Sequence, residues 1–195
     1  MAASDSLALA PLSGAEVAGL AALWPKSSAA IALRLVEPLH VLSLRHFPGG
    51  GASALSTVLA EHRLPGLPGP GHSRGIEPRL IWRSPTETLL LTQDAAQASA
   101  LLAALRPAPG ALACALDLSA GTLVVTLQGG NVEALLSRLV DAHALPRGTD
   151  QASRVRLADI AAVVWRGAPD HLGLLVDRAN AHYLARWLSY AADAI

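Results

Sequence analysis

Apolar positions along this chain switch between a two-residue and a three-to-four-residue period, and the switches occur twice in the same order. Residues 33–44 read Leu-Arg-Leu-Val-Glu-Pro-Leu-His-Val-Leu-Ser-Leu, and residues 116–127 read Leu-Asp-Leu-Ser-Ala-Gly-Thr-Leu-Val-Val-Thr-Leu. Each run predicts two strands, the first pair broken at Glu37-Pro38 because proline has no N–H for a ladder. Glycines follow each run (49–51 and 129–130), then an amphipathic stretch closing near His62 or His143. Further on, Ile81-Trp-Arg-Ser matches Val164-Trp-Arg-Gly, so Trp82 and Trp165 read as equivalents at an offset of about 80–84 residues.

The predicted elements follow from these periods. Ser13 and Glu16 form a capping pair for a helix over 13–24, stopped by Pro25. Strands are expected at 31–36 and 39–45, a helix at 53–62, a proline- and glycine-rich loop at 64–78, strands at 79–83 and 87–92, and a helix at 94–105. The second copy predicts strands at 112–118 and 122–128, a helix at 130–141, strands at 153–157, 160–166 and 171–176, and a helix at 178–192. In that helix Tyr183, Leu184, Trp187, Leu188 and Ala191 form the expected apolar face. The fold class is α+β with mostly antiparallel pairing, as two pseudo-repeated βαββα-type halves packed together. The expected divisions are an N-terminal helix or arm at 1–25, a first half at 26–110 and a second at 111–195, in one body.

Composition adds a partner to this picture. Hydrophobic residues make up 52% of the 195, and charged residues only 15%, against about 25% charged in typical domains. A chain this short has little interior, so the surplus apolar surface points to an obligate subunit interface. No run of about 18 apolar residues is uninterrupted, so no membrane span is expected. The N-terminus lacks the basic region of a secretory signal, so a cytoplasmic location is expected. Zero net charge and the lack of basic-aromatic clusters speak against nucleic acid. The single Cys114 leaves no intramolecular disulfide and no thiolate zinc site.

Candidate chemistry is sparse. No nucleophile elbow, phosphate loop, dinucleotide fingerprint or His-Glu-x-x-His is present. His40, His46, His62, His72, His143, His171 and His182 show no ligand spacing, so no metal site is expected. The two glycine runs read as tight connections, and His62 and His143 as helix C-terminal caps. Asp117 precedes Ser119 in a pattern typical of a local side-chain turn. Trp82 and Trp165 read as core or interface anchors, and with Tyr183 and Trp187 they are the interface candidates. No catalytic residue is assigned.

From about residue 79 onward the segment order resembles the gamma subunit of heterotetrameric sarcosine oxidase. The residues carrying this are Trp82-Arg-Ser-Pro-Thr-Glu-Thr-Leu-Leu, Asp117-Leu-Ser119, and the final segment from Leu174 to Leu188. That subunit is itself similar to the folate-binding domain of aminomethyltransferases, the T-protein fold. The resemblance implies an assembly subunit without a cofactor of its own, beside alpha, beta and delta subunits. FAD, FMN, NAD, tetrahydrofolate and zinc would then reside on those other subunits, and sarcosine would be demethylated to glycine. It also implies two alternatives: a stand-alone folate-dependent aminomethyltransferase, or the gamma-like subunit of a related secondary-amine dehydrogenase. Catalytic T-proteins carry an acidic doublet before the strand matched by 163–166. Here Ile160-Ala161 stand there, with Asp159 beside them, so Asp117 and Asp159 are the folate candidates.

Overall fold

The computed structural model describes residues 31–36 and 39–195 together with Gly19 and Ala22, both helical. The rest of the expected helix over 13–24, and the Glu37-Pro38 break, lie outside the described residues.

Strands β1 (Ala32–Leu35), β2 (His40–His46), β4 (Arg79–Ser84), β5 (Glu87–Thr92), β6 (Ala113–Asp117), β7 (Thr122–Gln128), β8 (Ala152–Leu157), β9 (Ile160–Ala168) and β10 (His171–Asp177) follow the alternating and continuous apolar runs. The proline- and glycine-rich loop contains one more short strand, β3 (Ser73–Arg74), which no periodicity announces. Helix α1 (Gly51–Glu61) starts after Gly50 at φ 118°. A side chain on Gly51 would meet the Leu112 carbonyl at 2.3 Å, so the glycine run makes a tight turn that only glycine fits. Helix α2 (Ala95–Ala104) is capped by Asp94, whose carboxylate accepts from the N–H groups of Ala96 and Gln97.

Helix α3 (Val132–Leu136) is much shorter than the expected 130–141. After Leu136 the bonds tighten to three-residue spacing, Arg138 N–H to the Leu135 carbonyl and Leu139 N–H to the Leu136 carbonyl. The Leu139 carbonyl accepts from the Ala158 N–H at 2.8 Å, in the turn between β8 and β9. His143 therefore sits in a separate 3-10 turn, with its N–H donating to Asp141. The expected equivalence of His62 and His143 as helix C-terminal caps is corrected on this point. A 3-10 turn (Arg178–Asn180) leads into the last helix, α4 (Ala181–Ala192).

The strands form two five-stranded sheets with antiparallel pairing. One is ordered β1-β7-β10-β9-β8, the other β3-β4-β5-β2-β6. The division at 110 and 111 does not follow the sheets. β1 belongs by sequence to the first half but pairs with β7, and β6 belongs to the second but pairs with β2. The sheets thus exchange their first strands.

Helices α3 and α4 cover one outer face with a core that includes Val125, Leu135, Val164 and Leu184. Helices α1 and α2 cover the other over Leu42, Leu55, Leu90 and Leu101. Between the sheets lies a third core of Val41, Ile81, Leu89, Leu91, Val124, Val163, Trp165 and Leu175. β5 and β10 face apolar layers on both sides, which explains their unbroken leucine and valine runs. The sheets are also tied at one corner: Ser73 N–H donates to the Asp150 carbonyl at 2.7 Å and Ala152 N–H to the Gly71 carbonyl at 2.9 Å.

Candidate functional site

The two folate candidates lie in separate local structures. The Asp117 carboxylate accepts from the N–H of Ser119 at 2.9 Å and from its hydroxyl at 2.5 Å. The Ser119 oxygen in turn accepts from the Val41 N–H at 3.0 Å. Asp117 therefore pins the β6 exit to β2, the side-chain turn its spacing predicts. Asp159 shares the two-residue connection of the β8–β9 hairpin with Ala158, at φ 75° and 42°. Positive φ at both positions is the backbone this tight hairpin requires, and Asp tolerates it better than most residues. Its carboxylate is exposed and pairs with Arg156, at 3.3 Å. The shallow cleft beside it, lined by Arg138, Asp141 and Arg156 among others, does not include Asp117.

The tryptophans part company. Trp165 is 6% exposed and closed between the sheets. Its indole lies over Gly173, where a Cβ would come within 2.1 Å of the ring. As an interface candidate Trp165 is corrected: it is an internal anchor. Trp82 is half-buried and shares a strand face with Leu80, on the helix-covered side. Trp165 shares its face with Val163, on the inter-sheet side. The matched Trp-Arg pairs thus point to opposite faces, because a one-residue difference in register flips a strand.

Arg166, which no motif singled out, is the most embedded charge among the described residues, at 4% exposed. Its Nε donates to the Pro146 carbonyl at 2.7 Å, one terminal nitrogen donates to the Pro169 carbonyl, and the other to Glu133 at 3.1 Å. It borders a cavity of about 210 Å³ with Gly129, Gly130, Glu133 and Asp170. Three bonds to three segments make it a latch tying α3 to the β9–β10 turn. Its sequence signal was weak: an arginine two residues past the buried Val164, on the same strand face. Burial lowers the Arg79 guanidinium from its ordinary value, partly offset by Asp150. Among the described residues no three His, Cys, Asp or Glu side chains converge as metal ligands would, and no helix is long and apolar enough to cross a membrane.

Helix α4 holds the most prominent exposed feature. Ala181, Leu184, Ala185, Leu188 and Ala191 are buried against the sheet. Tyr183, Trp187 and Tyr190 are 39%, 37% and 66% exposed, so Tyr183 and Trp187 are not part of the buried face where periodicity placed them. The rings of Tyr183 and Trp187 lie 6.2 Å apart, and those of Trp187 and Tyr190 5.7 Å apart, edge to face. Such pairs preorganise one another.

No family model matches the chain. The resemblance to the gamma subunit of heterotetrameric sarcosine oxidase extends over nearly its whole length. Sarcosine oxidase subunit gamma of Corynebacterium sp. (strain U-96) is 29% identical over 182 residues, 92% of this chain and 83% of that protein. A chain in the solved heterotetrameric sarcosine oxidase from Corynebacterium sp. U-96, in complex with pyrrole 2-carboxylate, is 28% identical with a TM-score of 0.75, covering 91% of both chains. The glycine cleavage system aminomethyltransferase T from Bartonella henselae is 20% identical with a TM-score of 0.55, over 91% of this chain and 50% of that one, a likeness of fold.

Proposed function

We propose that this chain is the gamma-type assembly subunit of a sarcosine oxidase-type complex. The observation carrying this reading is the match in sequence and structure over about nine-tenths of this chain, and over 83% and 91% of the two relatives, to a subunit of such a heterotetramer. In this reading alpha, beta and delta subunits bear the flavins, NAD, zinc and tetrahydrofolate site, and oxidise the N-methyl group of sarcosine. This chain holds them in place without contacting the reacting atoms. Two local features support a non-catalytic role: Asp117 is engaged in a turn and Asp159 sits at an exposed hairpin tip. The exchanged first strands support a further reading, that the two halves are copies of one ancestral unit.

Co-expression of this chain with the flavoprotein subunits of such a complex tests the proposal. Co-elution as one species is expected, with the large subunits losing solubility or activity without it. A monomer indifferent to those subunits overturns the reading. Calorimetric titration of the isolated chain with tetrahydrofolate is expected to show no saturable heat, whereas binding lost on Asp159→Ala would establish the aminomethyltransferase alternative instead.

A further inference from the structure

We draw no further inference here: the strongest candidate, the cavity of about 210 Å³ at the start of α3 bordered by Arg166, Glu133 and Asp170, carries nothing, because the buried Arg166 is already engaged by Pro146, Pro169 and Glu133 in the latch described above and nothing in the structure points to a ligand there.

Discussion

At the residue scale, the tightest constraint is the contact between Trp165 and Gly173. These residues face each other across β9 and β10, and the indole occupies the space a side chain at 173 would fill. Gly173→Ala is expected to cost about 1–3 kcal/mol through overpacking, read from the urea midpoint. Combining it with Trp165→Leu should cost less than the two single losses together, because the smaller side chain vacates the site. Arg166 predicts a loss of another origin. Arg166→Met leaves the Pro146 and Pro169 carbonyls without their donor, and a loss of about 1–3 kcal/mol is expected in the same measurement. Asp159 predicts a gain. Replacing Ala158-Asp159 with Asn-Gly suits the positive φ of both positions and should stabilise the hairpin by about 0.5–1 kcal/mol. It should also leave assembly with the large subunits unchanged.

At the scale of elements, capping and competition for backbone groups set the helix ends. Asp94 is the side-chain cap of α2, and Asp94→Ala should lower stability by about 1 kcal/mol. Most elements were legible from the chain because a strand or helix with a buried face leaves its period in the apolar positions. α3 was not. Its apolar pattern continues through Leu139 and Val140, but the bonds tighten to three-residue spacing at Arg138 and Leu139, and the Leu139 carbonyl bonds the Ala158 N–H, a partner 19 positions away. β3 escaped because two residues have no period. On α4 the period was correct, but Tyr183 and Trp187 were placed on the wrong side. Tyrosine and tryptophan count as apolar in a pattern whether they line a core or face outward, and only the packing of Leu184 and Leu188 against the sheet separates the two.

At the scale of the whole molecule, the exchange of β1 and β6 joins the halves. Each sheet ends on a strand supplied by the other half, so neither sheet is complete within its own stretch of chain. Residues 26–110 and 111–195 expressed separately should each fail to unfold cooperatively in urea, and mixing them should restore a single transition. The chain by itself determined the α+β class, the order of nearly all elements, the structural turn at Asp117 and the likeness to an oxidase subunit. These rest on local periodicity, local hydrogen bonding and segment order, all written in consecutive residues. Tertiary structure alone decided which strands share a sheet, which tryptophan is sealed between sheets, where Arg166 finds its three acceptors, and that the aromatic residues of α4 face outward. The physical reason is the same in each case: the partner lies tens of residues away, and a period of two or 3.6 states that a face is apolar but not what it meets.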